Sequence, residues 1–205
     1  MYKIILTVFI GLNLSYSVSY GANAKFDCIN FAYKKEVELR KQSGESGDYH
    51  RRALNSAADI CKLEVFGQCL KFSYEYLTQN INPRNINLLR RKWGETVSAC
   101  RPKVYENCLR FALSFWQKQN KPNPFQNAAT SCAREVPGDC LEYVYAHERN
   151  NGHSEISSFN AGVNVCRTGV YKVCIQGVYE QLVPDAYPHS SDPWGDAIGI
   201  CRKKL

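Results

Sequence analysis

The sequence lacks the short motifs that mark common catalytic centres. It contains no Gly-x-Ser-x-Gly, no His-Glu-x-x-His and no phosphate-binding loop, so no signature of those hydrolases or nucleotide enzymes is present. Carboxylate pairs such as Glu36/Glu38 and Glu45/Asp48 occur without a glycosidase signature. No Cys-x-x-Cys or Cys-x-x-Cys-His is found, which removes the usual zinc and haem patterns. After the first dozen residues no apolar run approaches the ~20 residues of a membrane helix. The expectation is therefore a protein with no catalytic residues, metal or cofactor, and no transmembrane span after its first segment.

What is present is a 205-residue chain that is 44% hydrophobic, 12% aromatic and 22% charged. That composition excludes disordered and collagen-like chains and leaves enough apolar surface for a real core. Residues 1–24 read as a signal peptide. Lys3 supplies the positive start, Ile4 to Leu12 a short apolar stretch, and Ala22-Asn23-Ala24 a small-x-small cleavage pattern. Nine apolar residues are too few for a membrane anchor. No cysteine follows the cleavage site to accept a lipid. All ten cysteines lie beyond this segment, and export would place them in an oxidising compartment. Localisation is expected to be periplasmic or secreted after cleavage.

The cysteines expose an internal repeat. Cys61/Cys69, Cys100/Cys108, Cys132/Cys140 and Cys166/Cys174 each enclose seven residues, while Cys28 and Cys201 stand alone at the two ends. Seven residues before the first cysteine of each pair, and before Cys201, lie Leu54, Trp93, Phe125, Phe159 and Trp194. Four residues before lie the small residues Ala57, Thr96, Ala128, Gly162 and Ala197, and three before lie Ala58, Val97, Ala129, Val163 and Ile198. Offsets of 7, 4, 3 and 0 trace one face of an α-helix, helix B, ending at its cysteine. Asn123-Pro124, Asp192-Pro193, Ser157 and Asp48 are the expected starts of such helices.

Each connector carries a valine, Val65, Val104, Val136 or Val170, four residues after the helix-B cysteine. The next cysteine is followed by Leu70, Leu109, Leu141 or Ile175, with Ile29 after Cys28. Aromatic and apolar residues then recur at offsets of three and five. This is a second helix, A, with its cysteine in the first turn and Asp27, Asn107 or Asp139 as the expected N-cap. The whole reads as all-α. Five helical hairpins starting near Cys28, Cys69, Cys108, Cys140 and Cys174 form a single domain over residues 25–205, stacked as a short α-solenoid or compact helical bundle. The loops between A and B differ in every unit, as expected where a repeat protein places its specificity.

Two pairings fit the spacing. In one, each hairpin is closed at its base: Cys28–Cys61, Cys69–Cys100, Cys108–Cys132, Cys140–Cys166 and Cys174–Cys201. In the other, cysteines eight apart bridge neighbouring hairpins, leaving Cys28 and Cys201 over. Only the first explains why the series opens with an A-type and closes with a B-type cysteine.

Ser98-Ala99-Cys100 with Cys108-Leu109, and Ala57-Ala58-Asp59-Ile60-Cys61 with Cys69-Leu70, resemble the helicobacter cysteine-rich protein family. These are secreted, disulfide-stapled α/α repeats related to tetratricopeptide repeats. The resemblance covers most of the mature chain at the level of architecture, without the family's glycine-rich inter-helix turn or its regular tyrosine pairs. It implies partner binding by a curved helical surface and supports the cross-connector pairing. Penicillin binding, linked to some members, is not carried over, because no Ser-x-x-Lys occurs.

The formal charge is +7. Lys62, Arg101, Arg134, Arg167 and Arg202 follow the helix-B ends, where a cation meets the helix dipole. Arg84, Arg90, Arg91 and Lys92 form a further basic cluster and are the candidate partner-binding residues. His147 and His153, with Glu148 and Glu155, flank Asn150-Asn151-Gly152 and read as exposed loop residues, as do His50 and His189. The functional expectation is an exported, non-enzymatic repeat scaffold that binds another protein. The alternative is a binder of envelope glycan or anionic lipid headgroups, or a hydrolase acting on envelope material. Nucleic acid is disfavoured by export.

Overall fold

The computed structural model describes residues 26–62, 64–101, 103–182 and 192–203. The expected signal peptide and the tip of the last loop lie outside the described residues. Ten α-helices and one 3-10 turn are present, with no strand among the described residues. They are α1 (26–42), α2 (Tyr49–Cys61), α3 (Gly67–Thr78), α4 (Ile86–Ala99), α5 (Glu106–Lys118), α6 (Pro124–Cys132), α7 (Gly138–Asn150), α8 (Glu155–Cys166), α9 (Lys172–Leu182) and α10 (Pro193–Lys203). Odd-numbered helices are the A helices and even-numbered ones the B helices of five hairpins. The fold is all-α and repeat-like, as the cysteine spacing predicts.

Every hairpin is closed at its base. The disulfides join Cys28–Cys61, Cys69–Cys100, Cys108–Cys132, Cys140–Cys166 and Cys174–Cys201, each with Cα atoms 5.8 or 5.9 Å apart. No cysteine is free, and the cross-connector pairing that the family resemblance implies does not occur. The two ends meet because helix A starts where an antiparallel helix B finishes. Five disulfides fit an oxidising compartment, and no described helix is long and apolar enough to cross a membrane.

The chain divides into two compact units, Met1–Arg101 with hairpins 1 and 2, and Pro102–Leu205 with hairpins 3 to 5. Within the second, consecutive A helices α5, α7 and α9 pack on one another, and each B helix packs on its own A helix. The small residue four before each helix-B cysteine is buried throughout. Gly162 shows why. A Cβ there would lie 2.7 Å from Leu141 Cδ1 of the same hairpin.

The helix starts differ in part from expectation. Asp48 caps α2, accepting from Arg51 N at 3.1 Å. Ser154, not Ser157, caps α8, and Ser157 N is the donor. The α5 and α7 helices begin two residues earlier than Asn107 and Asp139 would set them. Tyr105 and Pro137 occupy the N-cap positions in extended conformation without a side-chain cap bond. The buried valine fixes this start, because it draws the connector into the core and the helix follows at once. Asn107, left inside the first turn, bonds Cys108 N and also Gly138 N of the next A helix.

That last contact marks a tight crossing. At Gly138 an added Cβ would lie 2.5 Å from the Asn107 carbonyl carbon and the Cys108 nitrogen, and at Gly67 it would lie 2.7 Å from the Asp27 carbonyl carbon. Both obstacles are backbone and cannot rotate aside. Gly67→Ala and Gly138→Ala should each destabilise their unit by about 1–3 kcal/mol. Gly94→Ala, mid-helix in α4 with open space around its Cβ, should stabilise by about 0.5–1 kcal/mol. Urea denaturation of the disulfide-intact chain checks the contrast in sign.

Candidate functional site

In three hairpins the bulky residue seven before the helix-B cysteine packs against the hairpin before it. Trp93 in α4 is 6% exposed and packs against Phe31 of α1 and Tyr74 of α3. Burial, with the Glu38 carboxylate adding to it, raises the Tyr74 phenol above its ordinary range. Phe159 in α8 stacks on Phe115 of α5 at 4.1 Å between ring centroids. Trp194 in α10 stacks on His147 of α7 at 3.6 Å and meets Tyr179 of α9 edge-on. Hairpin 1 has no described hairpin before it. Its equivalent residue, Leu54, is accordingly 50% exposed, and α2 turns Ala53 inward instead. Ala58 is exposed for the same reason.

Both tryptophans find the same polar partner. Trp93 Nε1 donates to Glu36 Oε1 at 2.8 Å, and Trp194 Nε1 donates to Glu148 Oε1 at 3.2 Å. Each glutamate lies eight residues after its own helix-A cysteine. Where the anchor is Phe159, that position holds Trp116, which meets the phenyl ring edge-on. A buried indole N–H needs an acceptor and a phenyl ring does not. The sequence reading missed this covariation, although the shared offset was available to it.

In the first unit the Trp93–Glu36 pair forms part of a groove of about 580 Å³. Leu39 and Trp93 give it an apolar side, and Arg40, Arg90, Ser43 and Glu45 a polar one. Arg40 lies between two carboxylates. Its Nε donates to Glu36 Oε2 at 3.2 Å, and its Nη1 donates to both oxygens of Glu45 at 2.9 and 3.2 Å. Arg52 Nη2 reaches Glu45 Oε1 at 2.8 Å, and Arg90 Nη2 lies 3.7 Å from Glu45 Oε2. Arg90 Nη2 also donates to Ser43 Oγ at 2.9 Å. Three guanidinium groups from α1, α2 and α4 thus converge on one carboxylate of the loop between α1 and α2.

The four basic residues singled out from sequence separate. Successive helix positions point about 100° apart, so the run does not present one common basic face. Arg90 alone reaches the groove. Arg91 and Lys92 both pair with Glu95 of their own helix. Arg84 is exposed in the turn before α4, its backbone N–H donating to Asn82 Oδ1. Arg40 carried no sequence signal, and Arg52, one of the basic pair Arg51 and Arg52 in the first helix B, joins Arg90 at Glu45 only through the fold. Of the helix-end cations, Arg202 Nη2 bonds the Asn164 carbonyl of α8.

The histidine loop is more ordered than the sequence suggests. His153 Nε2 lies 3.5 Å from Glu148 Oε2, and Arg149 donates to the His153 carbonyl. Burial holds His147 below the ordinary histidine range, while Glu148 and Asp192 act in the opposite sense. Among the described residues no group of three or more His, Cys, Asp or Glu is arranged to hold a metal ion. No family model matches the chain, and no curated protein or solved structure is significantly similar to it.

Two measurements follow from this geometry. Glu36→Ala leaves the Trp93 N–H without its acceptor and should destabilise the first unit by about 1–3 kcal/mol. Glu36→Gln keeps an acceptor and should lose less, and a double-mutant cycle with Trp93→Phe should show coupling. For His147, the folded state disfavours the proton more than the unfolded chain does. Its contribution to stability is therefore full above the ordinary histidine pKa of about 6.5 and declines as pH falls below it. An imidazole titration midpoint below that of a model peptide, and a weaker acid sensitivity in His147→Phe, are the expected results.

Proposed function

We propose that this chain is an exported scaffold of disulfide-stapled helical hairpins that acts by binding another protein and not by catalysis. The observation that carries it is the asymmetry of each hairpin. One end is buried and locked by its disulfide, while the other ends in a loop of different length and composition in every repeat. Within each unit such a frame holds varied loops side by side, which suits recognition of a folded partner or an extended segment. The resemblance to the helicobacter cysteine-rich family supports the same reading, as does the apparent leader at residues 1–24. On this reading the mature chain works in the periplasm or outside the cell.

A flat anionic surface is a poorer match. Arg40, Arg52, Arg90, Arg91 and Lys92 are each paired with carboxylates, which suits a discrete acidic group better than a sheet of headgroups. The test uses the mature, disulfide-intact chain as bait in native envelope extract and culture medium, with cross-linking. A stoichiometric protein partner retained at physiological salt is the expected result. Hydrolase turnover without any partner would overturn the proposal. So would salt-sensitive binding to peptidoglycan or anionic vesicles that is lost on replacing Arg90 and Arg91.

A further inference from the structure

We propose that the groove between hairpins 1 and 2 is a carboxylate-binding site that Glu45 fills as an internal ligand. An acidic side chain of a protein partner, next to an apolar one, takes the place of Glu45 when that partner binds. This inference rests on the protein-binding reading and narrows it to one surface and one chemistry.

The convergence of Arg40, Arg52 and Arg90 on Glu45 is the first ground. Guanidinium forks match carboxylates in charge and shape, and three of them from three helices exceed what tethering one exposed loop requires. The second ground is how Glu45 is held. Its loop departs from the end of α1 through Gly44 at φ 70° and reaches α2 through Gly47 at φ 81°. A Cβ on either glycine would meet nothing within 4 Å. No residue of 43–48 is buried. The loop is anchored by backbone bonds to α1 and by Arg52 Nη2 on the Ser46 carbonyl, with the Glu45 carboxylate as its inward-facing group. A carboxylate presented this way can leave without opening the core.

The third ground is the space beside it. The groove offers about 580 Å³ with the Trp93 indole and Leu39 on its apolar side. That is room for an apolar side chain next to the acid it accompanies. The fourth is charge. Glu36 and Glu45 face Arg40, Arg52 and Arg90, so exchanging Glu45 for one external carboxylate leaves the local balance unchanged. A bare phosphate would leave the Leu39 and Trp93 side of the groove unused.

An internal ligand competes at high effective concentration, and apparent affinity falls with the fraction of open sites. Removing the Glu45 charge should therefore strengthen binding, the opposite of what loss of an ordinary contact residue does. The probe is acetyl-Gly-Glu-Phe-Gly-amide carrying a fluorophore, with the Gln-for-Glu peptide as control. It is titrated into the mature chain as wild type, Glu45→Gln, Arg90→Gln and the double variant, each confirmed to hold five disulfides and native helix content. The Glu peptide should bind Glu45→Gln at least about tenfold more tightly than wild type. Arg90→Gln should weaken binding in both backgrounds, the control peptide should bind none of the four, and acetate should compete at least as well as inorganic phosphate.

Equal affinity for wild type and Glu45→Gln, or equal binding of the two peptides, would overturn the proposal. Displacement by phosphate well below the acetate concentration would reassign the site to phosphate. If Glu45→Gln fails to fold, loss of peptide binding in Arg90→Gln alone supports the site and unchanged binding refutes it. A protein captured by the wild-type bait that is indifferent to Glu45→Gln and Arg90→Gln refutes the groove and leaves the protein-binding reading standing. Tight peptide binding with no captured partner does the reverse.

Discussion

Each hairpin depends on a covalent link between the first turn of its A helix and the last residues of its B helix. The described helices other than α1 are 9–14 residues long, a length at which isolated helices are marginal in water. A pair of them has too little apolar surface to hold itself together. The disulfides close loops of 24–33 residues, and in the chain-entropy description each removes roughly 3–4 kcal/mol of unfolded-state freedom. The cysteines are buried, apart from a half-buried Cys174. The link therefore sits in the core it helps to form. The far ends of the hairpins are left free of this constraint, and there the loops diverge.

Stapling fixes the hairpin but not the order in which hairpins stack, which falls to the bulky anchor on helix B. Trp93, Phe159 and Trp194 each reach back to the A helix of the preceding hairpin, and the residue they meet matches their polarity. An indole faces Glu36 or Glu148, and a phenyl faces Trp116. A hairpin moved out of order would bury an N–H without an acceptor, or a carboxylate against a phenyl ring, at about 1–3 kcal/mol or more. The pairing thus favours one register among repeats whose cysteine frames are interchangeable. Leu54 shows the converse, because an anchor with no described hairpin before it faces solvent.

The cysteine frame was legible because covalent pairing and helical periodicity both leave exact spacings in the sequence. Helix starts were less so. Asn107 is a good N-cap by type, yet the buried connector valine starts the helix earlier and leaves Asn107 to bridge two A helices. The backbone conformation of the connectors left no such trace. Glu64, Lys103, Glu135 and Gly169, each three residues past a helix-B cysteine, all adopt positive φ, but only one is a glycine. In the second unit, Thr168 N and Gly169 N bond the carbonyls of Arg134 and Glu135, so stacking the repeats offsets part of that backbone strain. The groove was illegible for a different reason. Arg40, Arg52 and Arg90 do not adjoin in sequence, whereas Arg90, Arg91 and Lys92 do, yet only Arg90 reaches Glu45 while Arg91 and Lys92 pair with Glu95.

The same tryptophan–glutamate bond supports two different outcomes in the two units, and the far end of helix A decides which. In hairpin 1, Glu36 is followed four residues later by Arg40, a permanent cation one helical turn away. That cation, with Arg52 and Arg90, draws a second carboxylate from the loop and opens a charged groove. In hairpin 4, Glu148 instead meets His153 across a tight Asn-Gly turn, while His147 stacks on the indole. This corner gathers aromatic rings, with Arg149 donating to the His153 carbonyl. One architectural contact thus supplies a fixed carboxylate in both places. In hairpin 1 that carboxylate lies within a guanidinium cluster, and in hairpin 4 beside stacked rings.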